Sequence, residues 1–307
     1  MSGLFVCGWP SSGRRWRLVV FAVLYAAALG AASESGAASG VPVVAEVEAY
    51  VPRWDPLFAG IDLAQARMTA PEPLAVYAVR IDLANPTIRF LVTPSNGEQE
   101  LETNGQKTST FLETHRCQVA INASPFGPVL DTEGTPRDIQ GLSVSRGAVY
   151  SEAKGNQGAI LITRDNHVTL ATPPFEVSGV YNAASGFGML IEDGRSLGTT
   201  EGPRHPRTAA GVSQDGRFLY LLVIDGRQPD YSVGATTAET AAWLRQLGAY
   251  TGLNLDGGGS TTLVIAGPKG RARVVNRPIH NRIPGTERVN GNHLGVFAEP
   301  LGEPSKP

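Results

Sequence analysis

Cysteine is nearly absent from this sequence, with two in 307 residues. Cys7 lies inside what reads as a leader, far from its cleavage site, so the exported chain would keep Cys117 alone. One cysteine makes no internal disulfide, and stability must then come from packing. Cys117 sits in Arg-Cys-Gln-Val-Ala-Ile and reads as a small buried hydrophobe rather than a nucleophile. Charge is also scarce and balanced, at 18% charged residues and a net charge of −2, so there is no basic field for nucleic acid. His115, His167, His280 and His293 lack metal-ligand spacing, which argues against zinc. No solenoid-length repeat and no Ser-rich linker interrupts 43–299, which favours one domain.

What is present begins with a leader. Arg14, Arg15 and Arg17 precede the apolar run Leu18–Leu29, and Gly30-Ala31-Ala32 offers small residues for cleavage. This reads as a secretory signal over residues 1–32, with an uncleaved N-terminal anchor as the alternative. The expected location is secreted or periplasmic, with no transmembrane segment after cleavage. A spacer and N-terminal extension follow over 33–69, then the main domain over 70–299 and a frayed tail over 300–307.

Short β-type runs dominate the domain. Leu74–Leu83 alternates as a strand, Asn85-Pro86 turns the chain, and Ile88–Val92 is expected to pair back. Thr108–His115 reads as a short helix and Cys117–Ile121 as a buried strand ending at Asn122. Phe218–Ile224 is almost wholly apolar and should be a central strand buried on both faces. Thr236–Gly248 is the clearest helix, with Ala238, Ala241, Ala242 and Leu244 as a close-packing face. The expected class is α+β: a mixed, twisted β-sheet core with few packed helices in a single catalytic-type domain.

The most informative stretch is Asn254-Leu255-Asp256-Gly257-Gly258-Gly259-Ser260-Thr261-Thr262. Asp-Gly alone is an ordinary turn. Three glycines cost chain entropy, and placing them between a carboxylate and three hydroxyls points to a site. Their amides would face an anion. The spacing is not that of a P-loop, and no lysine follows. A second apolar strand ends at Asp225-Gly226-Arg227, so two carboxylates would meet at one sheet edge if the strands are neighbours. Asn122 either presents its amide to a ligand or closes its own turn. Asp225 either joins the site or caps its turn. Arg207 and Arg288 are anion ligands or members of structural ion pairs, and His205 is a loop residue or a proton carrier. The two aspartates leave calcium or magnesium open; no other cofactor is indicated.

In order, Ala120-Ile121-Asn122-Ala123, Arg207-Thr208-Ala209, Asp225-Gly226-Arg227, the Asp256 glycine segment, and Arg288 with Leu294-Gly295-Val296 resemble the phosphodiester glycosidase domain family. That is the family of the lysosomal uncovering enzyme, with exopolysaccharide-related bacterial members. The likeness covers roughly 70–299, and Ser124-Pro125 depart from the aromatic or amide of many bacterial members. The resemblance implies hydrolysis of a sugar-1-phosphodiester, with a phosphorylated carbohydrate as partner. It implies Asp256, Asp225 and Asn122 as catalytic residues. It implies substrate binding by Arg207, Thr208, Arg227, Gly257, Gly258, Gly259, Ser260, Thr261 and Arg288. The rival readings are a non-catalytic envelope protein that binds phosphorylated glycan, and a metal-dependent phosphodiesterase cutting the P–O bond. The sequence leaves the sugar, the acceptor and the oligomeric state open.

Overall fold

A computed structural model describes residues 50–302. The leader expected over 1–32 lies outside the described residues, as do residues 33–49 of the spacer and extension and the last residues of the tail. The described chain is largely β, with two α-helices, Thr108–His115 and Thr237–Leu247.

An eight-stranded sheet runs in the order 55–58, 61–68, 74–82, 218–224, 207–212, 251–254, 189–192, 195–196. A five-stranded sheet runs 272–274, 263–266, 119–122, 293–297, 89–92. A second five-stranded sheet is built from 143–185, and a three-stranded one links 103–104, 136–139 and 126–127. The expected mixed pairing is corrected here. Every pairing between these strands is antiparallel, and the parallel contact found is the isolated bridge Ile279–Thr286. The continuous apolar run of a doubly buried strand looks the same in either orientation, so it could not decide.

Phe218–Ile224 is central, as its composition requires. Leu219, Leu221 and Val223 enter a core shared with Ile121, Leu263, Leu294 and Val296 of the first five-stranded sheet. Tyr220, Leu222 and Ile224 point the other way, against Ala241, Trp243 and Leu244 of the longer helix. That helix opens with a capping box, Thr236 with Glu239, and stops at Gly248 with φ 110°. The shorter helix covers the far face of the five-stranded sheet through Phe111 and Leu112, beside Cys117. Cys117 is buried and its thiol is pushed up to about 12 by desolvation, so it stays protonated and packs as a hydrophobe.

Two local expectations fail. Arg89–Val92 does not pair back on Leu74–Asp82; it crosses to the other sheet and pairs with His293–Phe297. Phe175-Glu176-Val177, whose residues read as one more short strand, has no regular secondary structure. The segment read as an N-terminal extension supplies Asp55–Phe58 and the eight-residue strand Ile61–Met68. Its breakers Pro56 and Gly60 sit at a bulge and at the hairpin turn, where they do not interrupt the longer strand.

Candidate active site

Strands 218–224 and 251–254 are not neighbours. Each pairs with 207–212 from opposite sides, Arg207 facing Ile224 and Ala209 facing Asn254. Both are antiparallel to that middle strand, so their C-terminal ends emerge at its N-terminal end. Asp225, Asp256 and Arg207 are thus delivered to one rim of the sheet. The chain then crosses from 251–254 in the eight-stranded sheet to 263–266 in the five-stranded sheet, and the glycine segment is the crossover.

The crossover is stitched on both sides. Leu255 N–H donates to Thr208 O at 2.9 Å, and Gly258 N–H to Pro206 O at 2.9 Å. From the other sheet, Asp256 N–H donates to Ala123 O at 2.9 Å and Asn122 Nδ2 to Asp256 O at 2.5 Å. Asn122 Oδ1 accepts from Thr208 Oγ1 at 2.9 Å and from Thr262 N–H at 3.1 Å. Asn122 is 1% exposed, and its amide is occupied by the protein at both ends. Thr208 and Thr261 are buried and share a hydroxyl contact at 3.3 Å.

The three glycines are explained differently from the sequence expectation of a ring of free amides. The N–H groups of Gly258, Ser260 and Thr261 are taken by Pro206 O, Gly257 O and Gly258 O. What the absent side chains provide is room. A Cβ on Gly259 would lie 2.4 Å from Arg288 Nη2, and one on Gly258 would lie 3.1 Å from Arg227 Nη2. A Cβ on Gly257 would lie 2.8 Å from Pro206 O. Gly258 also has φ +63°, a conformation that costs glycine little. The turn is a bare surface on which two guanidinium groups lie.

Arg207 is the third guanidinium. It donates Nε–H to Ala235 O at 2.8 Å, and the charge of Arg227 bears on it. Arg227 likewise bears on Arg288. Burial first, then this mutual repulsion for Arg207, lowers the proton affinity of both Arg207 and Arg288. Among the described residues none of the three forms an ion pair with a carboxylate. The structural ion-pair reading of Arg207 and Arg288 is therefore not what the geometry gives. Arg227 itself has φ +58°, uncommon for a residue with a Cβ. His205 Nδ1 lies 3.3 Å from Arg227 Nη2, and burial with the nearby Arg227 and Arg207 charges lowers its pKa.

Asp256 faces this cluster. Burial raises its carboxyl to about 6, and a hydrogen bond from Ser260, the charge of Arg288 and the Gly257 amide pull the other way. Arg288 Nη1 also donates to Ser260 Oγ at 3.2 Å, so Ser260 links the two.

Asp225 shares the rim but not the cluster. It is 1% exposed, and its oxygens accept from Asn276 Nδ2 at 2.7 Å, Arg277 N–H at 2.8 Å and Tyr231 Oη at 3.3 Å. Burial raises it too to about 6 against those donors. Asn276 Nδ2 also donates to Thr261 O, at 3.1 Å, so Asp225 holds the crossover from beneath.

Sequence reasoning missed a chain of three. Asp131 Oδ1 accepts from His280 Nε2 at 2.6 Å, and His280 Nδ1 accepts from Arg288 Nε at 3.1 Å. This pair fixes the tautomer of His280 and the direction of Arg288. Asp131 and His280 are 149 residues apart, so no local pattern marks them. Among the described residues no three His, Cys, Asp or Glu side chains gather as a metal site.

The comparisons with known proteins agree with this architecture. The family model for phosphodiester glycosidase matches residues 115–297. Among solved structures, a hypothetical protein from Synechocystis superposes with TM-score 0.60 at 19% identity, covering 78% of this chain and 62% of that one. The zebrafish N-acetylglucosamine-1-phosphodiester alpha-N-acetylglucosaminidase catalytic domain, auto-inhibited by its pro-peptide, superposes with TM-score 0.59 at 19% identity, covering 80% and 85%. A Burkholderia pseudomallei protein described as exported gives 0.53 at 16%, covering 74% of each. At these identities the superpositions establish the fold. No curated protein sequence matches. The family match spans more than half of the chain and takes in Asn122, the arginine cluster and the whole glycine crossover: the chain belongs to the phosphodiester glycosidase family of hydrolases.

Proposed function

We propose that the protein is an exported hydrolase that cleaves a sugar-1-phosphodiester in a phosphorylated glycan, releasing the sugar. The observation that carries this reading is one carboxylate beside three guanidinium groups that form no ion pair among the described residues. A phosphodiester brings the missing negative charge, and charge-assisted bonds from Arg207, Arg227 and Arg288 would orient it. Their charge also favours departure of the phosphate, which needs little help from a general acid.

Asp256 is the reacting group in this scheme. Its pKa, raised to about 6, leaves it ionised at neutral pH yet basic enough to take a proton. A water attacks the anomeric carbon and gives its proton to Asp256. The C–O bond breaks, its electron pair leaves with the phosphate, and the products are the free sugar and a phosphomonoester. Asn122 and Asp225 act as positioning residues, one on each side of the crossover. Export rests on the arginine-led apolar leader at the N-terminus.

The test is turnover of a panel of sugar-1-phosphodiesters in ¹⁸O-water, with and without EDTA. Label in the sugar supports the scheme. Label in the phosphate would assign the protein to P–O cleavage, and loss of activity with EDTA would assign it a metal. Binding without turnover of any member would leave the glycan-binding alternative.

A further inference from the structure

A second basic cleft lies at the other end of the first five-stranded sheet. Asn122 pairs with His293 at the end that meets the crossover, whereas Arg89 pairs with Phe297 at the opposite end. There the sheet abuts the second five-stranded sheet. Two adjoining cavities of ≈ 240 and ≈ 540 Å³ open between them and share Arg89, Arg164 and Asn166. The first is also lined by Arg146 and Tyr181.

The walls are fixed by buried amides. Asn182 bridges them, accepting from Val92 N–H at 3.1 Å and donating to Phe90 O at 3.1 Å. Asn166 Nδ2 donates to Ile88 O at 2.9 Å. Into this frame project three exposed arginines, none in an ion pair among the described residues. Arg89 donates to the carbonyls of Pro86 and Ile88. Arg164 lies over the Tyr181 ring, 4.2 Å from its centroid. Arg146 occupies a two-residue hairpin turn with Gly147, at φ 54° and 85°. Such a turn prefers Asn or Gly at its first position, so an arginine there is held at a backbone cost. The acidic neighbour, Asp165, is engaged by the Thr163 hydroxyl. His115 lies close enough to Arg146 for its pKa to be lowered, after burial, by that charge.

We propose that this cleft is a second binding site, for the phosphodiester-linked backbone of an anionic glycan. It rests on the function proposed above, since it would hold the body of a polymer whose end is hydrolysed at Asp256. Guanidinium groups spaced around an aromatic ring suit alternating phosphates and sugar faces.

The test uses the full chain carrying Asp256→Asn, so that bound glycan persists. The probe is a phosphodiester-linked N-acetylglucosamine oligomer, with a neutral chitooligosaccharide of equal length beside it, both followed by calorimetry. The oligomer should bind selectively, and Arg89→Gln, Arg146→Asn and Arg164→Gln together should raise its Kd roughly tenfold or more. In the active chain the same three changes should raise KM for the oligomer and leave kcat/KM for a monomeric sugar-1-phosphodiester unchanged. Equal binding of the neutral chain, unchanged binding in the triple variant, or equal losses on monomer and oligomer would each overturn the proposal. Selective, arginine-dependent binding without turnover of any phosphodiester would keep the cleft and remove the function.

Discussion

Asp225 and Asp256 end two strands that run in the same direction on either side of 207–212, and burial raises both to about 6. Their surroundings differ. Asp225 is saturated by Asn276, Arg277 N–H and Tyr231. Asp256 lies on a turn covered by guanidinium groups that form no ion pair among the described residues, and the charge of Arg288 bears on it. A raised carboxyl therefore does not by itself locate the reacting group; the state of its partners does.

The hardest way to break the contrast is to neutralise each aspartate. Asp256→Asn should lower kcat by about a thousandfold, within the range for loss of a general base, while the melting temperature is held or rises. Asp225→Asn should keep turnover within about tenfold. It turns an amide toward the donors of Asn276 or Arg277, costing about 1–3 kcal/mol in urea unfolding. Equal kinetic losses in the two variants would erase the distinction.

Gly259→Ala comes next. Its methyl group would occupy the place of the Arg288 guanidinium, 2.4 Å away, and the arginine must move. Losing one charge-assisted contact should reduce kcat/KM by roughly ten- to a hundredfold, mostly through KM. A variant with normal KM would show that Arg288 does not hold substrate.

Acidity separates the pair more finely. If Asp256 must be ionised, kcat/KM should climb through about pH 6 and then level, and Asp225→Asn should retain that limb. Stability has the opposite slope. Both carboxyls are raised above their unfolded value near 3.9, so the folded chain holds more protons between about pH 4 and 6. Their contribution is present in full below pH 4 and is lost as pH rises through 6. Either Asn variant should flatten that decline.

Tyr231→Phe is the smallest change. It removes a 3.3 Å hydrogen bond to Asp225, which keeps two shorter ones, together with a 2.9 Å hydrogen bond shared with the Tyr77 hydroxyl. The expected cost is about 0.5–1.5 kcal/mol with unchanged kcat.

The contrast also marks what could be read from the chain alone. The long helix was legible because Ala238, Ala241, Ala242 and Leu244 recur at helical spacing between Thr236 and Gly248. The crossover was legible because three glycines beside an aspartate have few uses. Their use was not, because the guanidinium groups that need the space come from Arg227 and Arg288, outside the segment. Asn276 and His280 stayed hidden for the same reason: their value lies in Asp225, Thr261, Asp131 and Arg288, brought near only by folding. The pairing of Arg89–Val92 with His293–Phe297 spans two hundred residues, and local alternation is silent about such partners.

Residues 255–262 are also a ruler of fixed length. They leave one sheet after Asn254 and must reach the next at Leu263. Adding or deleting a single residue would turn one flanking strand over, sending Leu253 or Leu263 out of the core and drawing its neighbour in. Substitutions in this segment can be graded, but its count of residues is all or nothing, and a working relative should keep that spacing even where its side chains have drifted.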